Sequence, residues 1–148
     1  MQQQQSFDDV LNSMVEQHPR YHRDAYFFLR EALDFTQKTI GKSNRNKGRD
    51  GTHITGQELL KGIREYALAL YGPMTITVFN EWGIKSCEDF GQMVFLMIEH
   101  NLLRKTEQDR PEDFNNAYSF DEAFRKPFLP AANPPETSVP EISKVEQN

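Results

Sequence analysis

The residues with types or spacing suited to chemistry are scattered along this chain. Asp89-Phe90-Gly91 spells the metal-binding triplet of protein kinases. A kinase also needs a glycine-rich loop, a strand lysine and a catalytic loop, and the 148-residue sequence carries none of them. The triplet reads instead as the first turn of a helix followed by a core phenylalanine. His18 and His22 stand four apart, a spacing that can aim two imidazoles at one metal ion. Pro19 lies between them and breaks the shared face, while His53 and His100 are remote in sequence. Cys87 sits near a helix start, where the helix dipole favours a thiolate. Its neighbours Glu88 and Asp89 oppose that charge, and a nucleophile also needs a base brought by the fold. Cys87 therefore reads as an inert thiol. Glu107, Asp109, Glu112, Asp113, Asp121 and Glu122 cluster late in the chain without the alternating oxygen ligands of a calcium loop. No enzyme, metal site or cofactor is expected.

The stretch Lys42-Ser43-Asn44-Arg45-Asn46-Lys47-Gly48-Arg49-Asp50-Gly51 is basic and glycine-punctuated, and Lys38 precedes it. Such a segment can neutralise phosphates with little sequence preference. With Arg104 and Lys105 it supplies a candidate contact set for nucleic acid or an acidic partner: Lys42, Arg45, Lys47, Arg49, Arg104 and Lys105. The plainer reading is a hydrated surface loop over residues 42–54.

These residues must be positioned by a small fold. The length fits one domain with a tail. Hydrophobic residues make up 37%, and eleven phenylalanines offer large apolar rings for a core. The formal net charge of −5 gives no general attraction to phosphate or anionic lipid. No apolar run has the length of a membrane span, and the N-terminus lacks the charged start and apolar middle of a secretory signal. A single cysteine excludes an internal disulfide. A soluble cytoplasmic protein with no membrane partner is the expectation.

Residues 1–5 form a polar lead. Ser6 caps a first helix whose face is Phe7, Val10, Leu11, Met14 and Val15, and His18-Pro19 ends it. A second helix is predicted from about Arg20 to Ile40, with Tyr21 and Tyr26 at its margins and Gly41 as its stop. Thr55 and Glu58 match a capping box that opens a third helix, closed by Gly72-Pro73. A shorter helix follows, burying Ile76, Val78, Phe79 and Trp82 and ending at Gly83. Ser86 caps a fifth helix that is apolar nearly all round from Phe90 to Ile98, so it should be buried on most sides. Leu102–Thr106 and Phe114–Phe120 then read as two strands of a hairpin, with one helical turn over Asp121–Phe124. From Pro127 the prolines at 130, 134, 135 and 140 mark a disordered tail over 127–148.

Three helices followed by a hairpin is the order of a winged helix-turn-helix. The expected fold is thus mainly α with a small β-hairpin: a winged-helix-like core preceded by two N-terminal helices, one domain over 6–126.

The stretches Pro19-Arg20-Tyr21, Ala25-Tyr26, Thr55 to Ile63, Trp82-Gly83-Ile84, Asp89-Phe90-Gly91, Lys105-Thr106 and Glu112-Asp113-Phe114 resemble a family of conserved hypothetical proteins of planctomycete and verrucomicrobial bacteria. The resemblance spans about Phe7 to Phe124. It implies a bacterial cytosolic protein and carries over no catalytic or binding residue.

A DNA-reading role suits the winged-helix order but not its recognition helix. From Ser86 to Leu103 the charges are Glu88, Asp89 and Glu99, with no Lys or Arg. Groove-reading helices offer basic or amide side chains to phosphates and base edges. The sequence therefore favours a non-enzymatic module that docks another protein, with nucleic-acid binding through the basic loop as the alternative.

Overall fold

The computed structural model describes residues 6–44, 54–103, 111–115 and 117–130, and these form an all-helical fold. Five α-helices follow one another: α1 (Phe7–Gln17), α2 (Arg23–Asn44), α3 (Gly56–Tyr71), α4 (Thr75–Glu81) and α5 (Cys87–Glu99). Short 3-10 turns occupy Gly72–Met74, Pro111–Phe114 and Lys126–Phe128, and a π turn occupies Asp121–Arg125. None of these helices is long and apolar enough to cross a membrane.

The local signals act as written. The Ser6 hydroxyl accepts from the Asp9 N–H at 3.1 Å, and α1 ends at His18. Thr55 and Glu58 exchange both bonds of the capping box, each at 3.1 Å. Phe7 sits 5.5 Å from the Phe27 ring, and the Arg30 guanidinium stacks over Phe7 at 4.1 Å, which clamps α1 onto α2.

The long α2 pairs chiefly with α3. They pack tightly at Gly62, where an added Cβ would lie 1.7 Å from Thr36 Oγ1. The heart of the core is Phe79 of α4, fully buried. Its ring meets Phe28 at 5.6 Å, Phe90 at 5.4 Å, Phe120 at 5.5 Å and Phe124 at 5.4 Å. Aromatic pairs at such separations add about 0.5–1.5 kcal/mol each beyond their buried area. One small helix thereby ties α2, α5 and the C-terminal turns together.

The hairpin is the main correction. Among the described residues there is no strand, so the winged-helix core with its hairpin is not the fold of this chain. After α5 the chain turns sharply at Asn101, whose φ of 63° is left-handed, and the N–H groups of Leu102 and Leu103 donate back to Met97 O at 2.7 and 3.3 Å. That leaves Leu102 and Leu103 in a helix-capping turn rather than a strand. Arg104–Thr106 lie outside the described residues. The presumed return strand starts at the last residue of a 3-10 turn, Phe114, and stops at Phe120, which leads into the π turn. Its aromatics are apolar for a different reason than sheet alternation. Phe114 wedges between Gly56 and Gly91, two positions where a Cβ would meet its ring at 3.0 Å. Phe120 and Phe124, four apart, meet edge to face at 5.3 Å on one helical side. The rings roof the helical core, and no partner strand is required to bury them.

Three smaller corrections concern α2 and its flanks. It starts at Arg23, not Arg20, because the preceding residues are held elsewhere: the His22 N–H donates to Trp82 O at 3.0 Å. It also continues past Gly41 to Asn44, which places the backbone of Lys42 in a helix rather than a loop. Tyr21 and Tyr26 are not marginal: they are 1% and 0% exposed.

The Tyr26 hydroxyl is buried and has no hydrogen-bond partner. An unsatisfied buried hydroxyl costs about 1–3 kcal/mol. Tyr26→Phe should therefore raise the stability by about 1 kcal/mol, read as a higher urea midpoint at constant slope.

Candidate functional site

The residues first considered for phosphate or acidic-partner contact do not form a described site. Lys42 lies in the last turn of α2, and Arg45, Lys47, Arg49, Arg104 and Lys105 lie outside the described residues. Among the described residues no group of three or more His, Cys, Asp and Glu could hold a metal ion. His18 and His22 are separated by the α1–α2 turn. His22 Nδ1 accepts from the Asp24 N–H at 3.0 Å and so serves as a helix cap. His18 instead meets His100 edge to face at 5.8 Å. Cys87 is buried, and its Sγ donates to Tyr118 O at 3.4 Å. Burial pushes its thiol pKa upward, away from a nucleophilic thiolate.

What the fold does assemble is a cluster centred on Asp89. The Ser86 N–H and Lys85 N–H donate to Asp89 Oδ2 at 3.1 and 2.7 Å, because Asp89 stands at the third position of α5 and folds back over the helix start. From the α1–α2 turn, 69 and 68 residues away, Arg20 and Tyr21 donate to Oδ1 at 2.9 and 2.5 Å. The carboxylate is 4% exposed and accepts two bonds on each oxygen. So saturated a carboxylate is a structural anchor: it has no lone pair directed at a substrate. Gly83 makes the anchor possible. Its φ is 86°, and a Cβ there would fall 2.6 Å from Arg20 O, so the α4–α5 turn and the α1–α2 turn can close against each other only with glycine between them.

The anchor sets the path of the α1–α2 turn beside α5. His18 meets His100, whereas Arg20 and Tyr21 meet Asp89 at the other end of α5, so the turn runs back along the helix. Between the two lies a groove of about 760 Å³. Its floor is Pro19, Tyr21, Phe95, Leu96 and Ile98, and its rim is Gln17, His18, Arg20, Gln92 and Glu99. Gln92, Phe95, Leu96 and Glu99 follow i, i+3, i+4, i+7 spacing, which is one continuous row along α5. The helix is thus buried by Phe90, Met93 and Met97 and open along this second row. No family model, no curated protein and no solved structure matches this chain.

Electrostatically the groove is nearly neutral. Arg20 stands at the Asp89 end, with its side chain 58% exposed, and Glu99 stands nearly three turns further along α5. Only the Asp89 half of this pair is buried; solvent screens the Arg20 half, and the bond orients the guanidinium along the rim.

The cluster and the core share a set of buried phenols. Burial raises the pKa of Tyr26 to about 12. It also raises those of Tyr21, aided by the bond to Asp89, and of Tyr118. Unfolded phenols ionise near 10. Above about pH 10 the unfolded chain releases protons that the fold retains, so stability falls as the pH rises. From Tyr26 alone the fall approaches about 1.4 kcal/mol per pH unit between about 10 and 12. Urea unfolding at pH 9 and pH 11 should show this loss, and Tyr26→Phe should flatten the slope.

Proposed function

We propose that this chain is a non-enzymatic protein-interaction module that takes an apolar segment of a partner protein into the groove beside α5. The supporting observation is the groove itself: an apolar floor on a continuous helical row, rimmed by polar groups and held in shape by a saturated buried carboxylate. Recognition of extended or helical segments uses such a row, with apolar anchors for affinity and rim groups for register. The chemistry candidates argue the same way. Asp89 is consumed by structure, and the Cys87 thiol is held neutral by burial. A lone buried cysteine suits a reducing compartment, which supports a cytoplasmic setting, and the sequence resemblance adds a bacterial one.

The test is comparative capture. A protein recovered by the wild-type chain should be lost with Leu96→Asp, in the groove, and kept with Leu70→Asp, an exposed residue of α3 outside it. Equal recovery by both variants, or loss by both, overturns the groove as the docking surface.

A further inference from the structure

We propose that His18 and His100 form a two-histidine site for a borderline divalent metal ion of the Zn²⁺ class, which clasps the end of the groove opposite Asp89. The site stands independently of what the groove docks.

The sequence places His18 four residues from His22, but the fold pairs it with His100 instead. His18 is the C-cap of α1 and His100 is the C-cap of α5, so each ring is carried by the end of a helix. The ring centres stand 5.8 Å apart. Two imidazoles bound to one Zn²⁺ at about 2.0–2.1 Å, with each ring centre about 1 Å behind its nitrogen, place those centres about 5 Å apart at a tetrahedral angle. His18 covers the difference by turning. Its side chain is exposed, and no described residue bonds its ring nitrogens.

His100 is already held as a ligand is held. Its Nδ1 lies 3.0 Å from Leu96 O. A carbonyl oxygen only accepts, so Nδ1 carries the proton and the neutral ring keeps its lone pair on Nε2. A backbone carbonyl on the second ring nitrogen is the common outer contact of a metal-bound histidine, where it fixes the ring and makes the ligating nitrogen more basic. The His100 N–H donates to the same Leu96 O at 3.1 Å, which pins backbone and ring at one point.

The field around the pair favours a cation. The carbonyl end of a helix carries a partial negative charge of about half an electron. Neither α1 nor α5 has a basic residue in its last turn to balance it. Glu99 adds a full negative charge on both sides of the pair. It lines the groove that holds His18 and also a second groove, between α1 and the end of α5, that holds His100. Arg20, two residues beyond His18, is drawn away to Asp89.

Among the described residues no third histidine, cysteine or carboxylate completes a ligand group, so water fills the remaining positions and the site is an open one. Paired imidazoles suit Zn²⁺, Ni²⁺ and Cu²⁺, whereas Mg²⁺ and Ca²⁺ take oxygen ligands. The ion joins α1 to α5 where only a ring contact joins His18 to His100 without it. Asp89 fixes the Arg20 end of the groove, and the ion fixes the His18 end.

Zn²⁺ alone is the probe, added to the full-length chain with 15N labelling. The ring nitrogens of His18 and His100 should shift together, saturate at one ion per chain and return when a chelator is added. The melting temperature should rise over the same range, because the two ligands are brought together only in the folded chain. Mg²⁺ should produce neither effect. His18→Ala should weaken binding by at least roughly tenfold, the lower range for losing even an outer contact of a metal ligand. Its side chain is exposed, so the fold survives the change. His22→Asn, which keeps an acceptor at the start of α2, should bind as the wild type does. Absence of a shift at both rings up to about a millimolar Zn²⁺ overturns the proposal. So does a shift at one ring only, or a shift of His100 that survives His18→Ala undiminished. A zinc-dependent doubling of mass in sedimentation places the two ligands on different chains and overturns it as well. No partner protein enters this experiment, so its failure leaves the capture comparison standing, and failure of that comparison leaves this result standing.

Discussion

Gly62→Ala should lower the stability of this protein by about 3 kcal/mol, the upper range for overpacking a tight interior, and its melting temperature by roughly 10 °C. The sign is the opposite of what helix propensity gives, since alanine in place of glycine inside a helix is ordinarily worth about 1 kcal/mol in favour. Sterics decide it. The new Cβ would sit 1.7 Å from Thr36 Oγ1, 2.9 Å from Thr36 Cβ and 3.1 Å from its Cγ2. Rotating Thr36 moves Oγ1 and Cγ2 but leaves the Cβ clash, and it breaks the bond from Oγ1 to Ala32 O at 2.7 Å. With Thr36 buried on α2, the helices must separate, and the α2–α3 pair is the most extensive helix contact of the fold. Thr36→Ala in the same background should recover part of the loss, because it removes two of the three colliding atoms and leaves the Cβ. Thermal unfolding of the two single variants and the double variant measures this coupling.

Asp89→Ala should cost about 3 kcal/mol, most of it from orphaned donors rather than from the lost ion pair. The Lys85 and Ser86 N–H groups lose their acceptor at once, and the Tyr21 hydroxyl is left with Gln92 Oε1 at 3.2 Å. Arg20 simply turns to water, since more than half of its side chain is already exposed. Asp89→Asn keeps one acceptor oxygen and should lose about half as much. Tyr21→Phe should cost about 1 kcal/mol alone and much less in the Asp89→Ala background, because the two share a bond. A cost of Asp89→Ala under 1 kcal/mol in urea unfolding would show that the α1–α2 turn is held by other contacts. Loss of the anchor should also open one wall of the groove, so hydrogen exchange at Arg20, Tyr21 and His22 should quicken in Asp89→Ala more than at α3.

The helices were legible because their signals are local. Ser6, the Thr55–Glu58 box, the Gly72-Pro73 stop and Gly83 each act on backbone groups within four residues, and each holds in the fold. The period-3.6 apolar faces of α1, α3 and α5 identify buried residues such as Leu11, Met14, Leu60, Ile63, Phe90 and Met93. The hairpin failed for an equally physical reason. Phe114, Tyr118 and Phe120 announce only that large rings must be buried, and a short apolar run does not say whether a sheet or a helical floor will bury them. The floor was supplied by Gly56 and Gly91, which are 58 and 23 residues distant from Phe114 and whose missing side chains make room for it.

The same division applies to the candidate site. Ser86 to Asp89 could be read as a helix start, and the apolar wrap of α5 as a buried helix. Nothing near Arg20 or Tyr21 in sequence points to Asp89, since a hydrogen bond across 68 residues leaves no periodic trace. The groove likewise exists only because that bond draws the α1–α2 turn alongside Gln92 and Leu96. Composition and short-range spacing determined five helices, their caps and most of the core, because those depend on backbone groups and apolar faces a few residues apart. Tertiary contact alone decided that the C-terminal aromatics roof the bundle and that an open row of α5 faces the α1–α2 turn, because both depend on which distant surfaces leave room for one another.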